Sequence, residues 1–113
     1  MGIQNWSDEV ILVNLAKEPQ LGEELQTVIS MVSDSKSHDV VIDFAGVEII
    51  TSSSIAKMLK LRKVLNDSNR RLVFCSLSDQ TRNLFTITSL DSVFEFADNQ
   101  FVALTSVQMV STN

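Results

Sequence analysis

Four consecutive hydroxyl side chains, Thr51, Ser52, Ser53 and Ser54, are the residues of this chain best suited to chemistry. A hydroxyl in such a run can cap a helix by accepting from a backbone N–H, and it can also receive a phosphoryl group. On the residues alone, capping is the simpler role, because Ser and Thr are favoured at helix N-termini. Other chemistry is thinly supplied. His38 is the only histidine, and no spacing joins it to a serine and an acid, so it reads as an ordinary loop or strand-end residue. One His and one Cys form no paired ligand motif, and no metal is expected. Gly2, Gly22 and Gly46 make neither a P-loop nor a dinucleotide fingerprint, and no cofactor is expected. Cys75, set among Val73, Phe74 and Leu77, reads as a buried structural thiol. A phosphorelay receiver would carry paired acids after its first strand, where Leu15-Ala16-Lys17 has none. The chain is therefore expected not to be an enzyme.

The hydroxyls need elements to hold them. Before them, Val40, Val41 and Ile42 form a β-branched run that reads as a strand buried on both faces. After them, Ile55, Met58, Leu59, Leu61 and Leu65 recur at helical spacing and share one broad side. Asp43, at the strand end, could accept N–H bonds from the following loop or help position a kinase-bound metal ion; the turn role is favoured. Lys57, Lys60 and Lys63 recur every third residue opposite Ile55, Met58 and Leu59, either as a solvated face or as a partner-binding one. Arg62 falls nearer the apolar side and is expected to lie over core residues with its head in water.

The rest of the chain alternates in the same way. A short strand is expected around Ile3 and Trp6, and a second over Val10 to Leu15, ended by Glu18-Pro19-Gln20. Leu21, Leu25, Val28, Ile29 and Val32 are spaced for an amphipathic helix, with Glu23 and Glu24 near its positive end and a polar close over Ser33 to Ser37. Asn66 to Asn69 should turn the chain into a strand over Arg71 to Leu77. Ser78 is a fitting N-cap for a helix through Phe85. Val93 to Phe96 reads as a last strand and Asn99 to Val107 as a closing helix, with Phe101, Val102, Leu104 and Val107 inward and Ser111 to Asn113 frayed. Strands alternating with helices imply an α/β fold, a mainly parallel sheet with right-handed crossovers.

Composition narrows the function classes. Hydrophobic residues at 44% and charged residues at 20% are globular values, and 113 residues suffice for one ordinary core. The net charge of −5 argues against binding nucleic acid through its phosphates. No apolar stretch approaches the ~20 residues of a membrane span, and no basic-then-apolar leader opens the chain, so a soluble protein without a membrane partner is expected. A lone cysteine fits a reducing, cytoplasmic compartment. The charge is uneven: eight acids face two bases over residues 1–44, seven bases face three acids over 45–90, and three acids follow. The basic part is thus the helix after the hydroxyls and its surroundings.

An apolar strand, Asp43, a turn with Gly46, then Val47, two further apolar residues and a hydroxyl cluster opening a helix resemble the STAS domain of anti-sigma factor antagonists. Leu72-Val73-Phe74-Cys75-Ser76-Leu77-Ser78, with Leu84-Phe85 and Leu90-Asp91-Ser92-Val93-Phe94, is similar to the rest of that family. The likeness runs from Val40 to Phe101. It implies one STAS-like α/β domain over residues 1–113, and binding to an anti-sigma factor that is itself a serine kinase with its own bound ATP. In the family the helix opens with Asp-Ser-Ser/Thr-Gly, and the partner kinase phosphorylates the second hydroxyl. That residue is Ser53 here, with Ser52 its nearest competitor. A serine phosphatase would reverse the step, and Asp43, Lys57 and Lys60 would contribute to partner binding. The family's Asp is Thr51 in this chain and its Gly is Ser54; the Gly and apolar-Asp pair usual after the second strand is replaced by Ala16-Lys17-Glu18-Pro19. These departures support an alternative, a STAS scaffold or subunit of a regulatory complex that assembles without covalent switching. A small-ligand sensor is a third possibility.

Overall fold

The apolar runs become five strands and the periodic stretches four helices in the computed structural model, which describes residues 2–111 and their side chains through Gln108. In chain order these are β1 (Gly2–Ser7), β2 (Val10–Asn14), α1 (Gln20–Ser35), β3 (Asp39–Asp43), α2 (Ser52–Asp67), β4 (Leu72–Cys75), α3 (Asp79–Ile87), β5 (Glu95–Ala97) and α4 (Gln100–Ser111). The sheet keeps that order, β1-β2-β3-β4-β5. β1 pairs antiparallel with β2, and the other three pairings are parallel. The expected mainly parallel α/β sheet is what forms. Of the expected frayed tail, Thr112 and Asn113 lie outside the described residues, and Ser111 is the last residue of α4.

Strands buried on both faces need a helical layer on each. On one side Leu21, Leu25, Val28, Ile29 and Val32 of α1, Met58, Leu61 and Leu65 of α2 and Phe85 of α3 cover Ile11, Val13, Val40, Ile42 and Phe74. On the other side α4 works alone, setting Ala103, Leu104 and Val107 over Val10, Leu12, Val41, Val73 and Cys75. Alternation along each strand sends successive side chains to the two layers. A cluster of rings closes one end of the larger core: Phe74 lies 4.9 Å from Phe44 and 4.6 Å from Phe94, centroid to centroid. Such tilted and stacked pairs add ~0.5–1.5 kcal/mol beyond their buried area.

Several expectations shift by a turn or a face. β4 is shorter than Arg71 to Leu77 because Ser76 takes a left-handed φ of 61°, which ends the ladder. β5 begins at Glu95, since Val93 donates its N–H back to the carbonyl of Leu90 at 3.0 Å and is still in a turn. Phe101 is 77% exposed and Val102 45%, against the expected inward placement, and Ala103 takes their place at the sheet. Positions 103, 104 and 107 follow one helical stripe, and the small alanine lets the α4 backbone approach. Leu59 also faces outward, at 38% exposure, because the buried stripe of α2 centres on Ser54, Met58, Leu61 and Leu65. Among the described residues no helix is long and apolar enough to cross a membrane.

Candidate functional site

The hydroxyl run lies where β3 gives way to α2. Thr51 has extended backbone angles (φ −84°, ψ 159°) and is the N-cap; its Oγ1 accepts from the Ser54 N–H at 3.1 Å. Its hydroxyl proton goes to Ser54 Oγ at 3.2 Å. Ser54 is 2% exposed and packs where α2 meets α1, beside Gly22. Two of the four hydroxyls are therefore used by the fold, and Ser52 and Ser53, at the first two helical positions, face solvent. Helix geometry leaves the N–H groups of those two residues without intrahelical acceptors, so this end carries partial positive charge.

Around the hydroxyls the carboxyl ends of β2 and β3 form a rim. Asp43 is 8% exposed, and both its oxygens are used inside the chain. Oδ1 accepts from the Ala45 N–H at 2.8 Å, an Asx turn, and Oδ2 accepts from Gln100 Nε2 at 2.8 Å. A cleft of about 550 Å³ opens between Asn14–Lys17 and Gln20 on one side and Asp43, Ala45 and Gly46 on the other. Beside it, Lys17, Glu18, Glu48 and Ile49 line a smaller depression, and Ile49 is 73% exposed. Glu18 reaches across from the β2–α1 loop and accepts the Thr51 N–H at 2.9 Å through Oε2.

The bases are less uniform than their spacing suggests. Lys57 is half-buried and donates to the Gly22 carbonyl at 3.3 Å, so it belongs to the α1–α2 contact and not to the outer face with Lys60 and Lys63. It lies about 70° from the middle of the buried stripe at 100° per residue, close enough for its stem to cover core. Lys60 is exposed, and Lys63 pairs with Asp67 at 3.2 Å. Arg62 is half-buried over the core edge as expected, but its head is not left to water: Nε donates to the Val93 carbonyl at 2.8 Å.

The remaining candidates have structural partners. His38 Nδ1 meets Ser35 Oγ at 2.9 Å at the strand entrance. Cys75 is fully buried; that burial, with the Asp43 carboxylate second and a Ser76 hydrogen bond opposing, pushes its thiol up to about 11. Among the described residues no group of three or more His, Cys, Asp or Glu side chains is placed to hold a metal ion. Glu18, Gly22 and Gln100 are the site residues that sequence reasoning missed. Each acts on a residue at least 30 positions away, so no local spacing marks it.

Comparison with known proteins meets the same features. The family model described as "STAS domain" matches residues 9–103, from the start of β2 into α4. A Bordetella bronchiseptica protein, BtrV, which carries the provisional name of an anti-sigma factor antagonist, is 29% identical over 92 residues, covering 81% of this chain and 76% of its own. Among solved structures, a STAS domain protein from Planctomyces limnophilus superposes with a TM-score of 0.79 at 19% identity, covering 95% of this chain and 97% of its own. The Bacillus cell fate determinant SpoIIAA in its phosphorylated form gives a TM-score of 0.72 at 16% identity, covering 94% and 97%. With the family model spanning β2 to β5, the hydroxyl-opened α2 and the cleft beside it, this chain belongs to the STAS domain family.

Proposed function

We propose that this chain is a cytoplasmic anti-sigma factor antagonist: it binds an anti-sigma factor of the serine-kinase kind while Ser53 is unmodified, and phosphorylation of Ser53 by that partner ends the binding. The observation that carries this reading is the division of labour in the hydroxyl run. Thr51 and Ser54 are engaged by the fold, whereas Ser53 is exposed at the second position of α2. The name of BtrV supports the antagonist role, and SpoIIAA has been solved in both unphosphorylated and phosphorylated forms. Ser53 Oγ attacks the γ-phosphorus of ATP bound by the partner, its proton passes to a base of that kinase, and the bond from the γ-phosphorus to the β–γ bridging oxygen breaks to release ADP. A separate serine phosphatase hydrolyses the ester and restores binding. The chain itself supplies a surface and an acceptor, not a catalyst, and neither nucleic acid nor membrane is its partner.

The sign of the switch follows from electrostatics. A phosphate of about −1.5 to −2 charges at a helix N-terminus is locally favourable by ~0.3–2 kcal/mol, so it does not unfold the domain. In an interface the same group must be desolvated or faced by acids, at a cost of several kcal/mol. With tenfold in affinity per ~1.4 kcal/mol, a loss of 100-fold or more results. In this reading Lys60 and the Ala45–Ile49 loop contact the partner, Asp43 holds that loop, and Lys57 fixes α2 against α1.

Phosphosite mapping by mass spectrometry on protein from its own cells, with and without phosphatase, tests the reading. Phosphate on Ser53 is expected, phosphate on Ser52 moves the acceptor by one residue, and an unmodified chain under several growth conditions overturns the switch. The alternative, a STAS scaffold that assembles without switching, is favoured by the Thr51–Ser54 interlock, which gives the hydroxyls a use without any phosphate. A complex indifferent to ATP would support it.

A further inference from the structure

The bond between Glu18 and Thr51 spans 33 residues and ties the β2–α1 loop to the start of α2. It brings a carboxylate to the positive end of the helix whose first two positions carry the exposed serines. No acid stands in the first turn of α2, so Glu18 supplies from another element the negative charge that a helix start favours. The base that follows along α2, Lys57, donates to the Gly22 carbonyl. Glu18 also sits next to the residues that wall the larger cleft, Leu15, Ala16, Lys17 and Gln20, and it lines the smaller depression with Glu48 and Ile49.

Resting on the phosphorylation reading above, we propose that Glu18 is the positioning residue through which a phosphate on Ser53 changes the shape of the β2–α1 loop. The phosphate and the Glu18 carboxylate are like charges directed at one helix end. The phosphate, with the larger charge and its own N–H donors at positions 52 and 53, displaces Glu18 from the Thr51 N–H. Release of Glu18 frees the segment from Leu15 to Gln20, and one wall of the cleft moves. Phosphorylation then acts on a partner twice, by charge at Ser53 and by shape at the cleft.

Two-dimensional NMR with amide hydrogen exchange on the full chain, carrying phosphoserine installed at position 53 by genetic encoding, tests this without the kinase. Relative to the unmodified chain, the Thr51 amide should exchange about tenfold faster, the scale of losing one charge-assisted hydrogen bond. The amides of Ala16, Lys17 and Gln20 should shift with it. In a Glu18→Ala background those amides should already be displaced, and phosphoserine should add nothing to them. In a Glu18→Gln background the acceptor remains without its charge, and Thr51 should keep its protection when position 53 is phosphorylated. Phosphoserine that shifts only residues 52–55 would overturn the proposal, as would equal shifts at 16–20 with Glu18→Ala. Because the phosphate is installed, the outcome is separate from whether cells phosphorylate Ser53.

Discussion

Gln100 Nε2 donates to Asp43 Oδ2 at 2.8 Å, joining the first residue of α4 to the last residue of β3. The same amide also donates to Asn14 Oδ1 at 3.2 Å, and the other Asp43 oxygen holds the Ala45 N–H. One carboxylate thus sets both the loop leading to α2 and the rotation of α4 that turns Ala103, Leu104 and Val107 to the sheet. Asp43→Ala removes both bonds and leaves the Gln100 amide short of an acceptor. It should destabilise the chain by roughly 2–3 kcal/mol in urea unfolding, and Asp43→Asn, which keeps an acceptor for Ala45, by less.

Ser53 variants separate folding from binding. Ser53→Asp adds one negative charge at an exposed helix start and should leave the melting temperature unchanged or slightly raised, by at most ~1 kcal/mol in stability. Its affinity for the partner should fall by tenfold or more in calorimetry, since the charge must be desolvated at the interface. Ser53→Ala should bind normally and no longer respond to ATP, and Ser52→Ala should behave as the unmodified chain.

Cys75 should make stability fall in alkali. The unfolded chain releases its thiol proton near the ordinary value of 9.0, whereas the folded chain holds it to about 11. Stability is full below pH 9, declines between 9 and 11 as only the unfolded thiolate forms, and levels off above, a loss on the order of 3 kcal/mol. Urea titrations of the chain and of Cys75→Ala should diverge in that window. Iodoacetamide near pH 7.5 should label Cys75 only upon unfolding.

Arg71 staples three elements at the opposite end of the sheet. Its Nη2 and Nε donate to Glu95 at 2.6 and 3.2 Å, and Nη1 and Nη2 donate to the Ser106 carbonyl and hydroxyl at 2.9 and 2.8 Å. The Glu95 hydrogen bond is the main cause that raises the Arg71 pKa, against the effect of burial. Arg71→Lys keeps the charge and loses the fork, so it should cost ~1–2 kcal/mol and speed amide exchange in α4 before α1.

What the sequence determined by itself is the order of the elements and the hydroxyl capping of α2 and α3. Hydrophobic period depends only on near neighbours, so the runs Val10–Leu15 and Val40–Ile42, the stripe Leu21–Val32 and the N-cap Ser78, whose Oγ accepts from the Thr81 N–H at 3.2 Å, were all legible. The hydroxyl run was legible as a helix cap for a similarly local reason, and Thr51 Oγ1 does accept from the Ser54 N–H; its reading as a phosphoacceptor came from the family resemblance. Tertiary structure alone decided which of those hydroxyls face solvent, because Ser54 is buried by α1 packing beside Gly22 and not by anything within α2. It also decided that Lys57 turns inward, that Phe101 and Val102 stay outside, and that Glu18 and Gln100 reach Thr51 and Asp43. These depend on the rotation of a helix about its axis and on side chains meeting across 33 to 57 residues, which the packing of the whole sheet sets and no local pattern encodes.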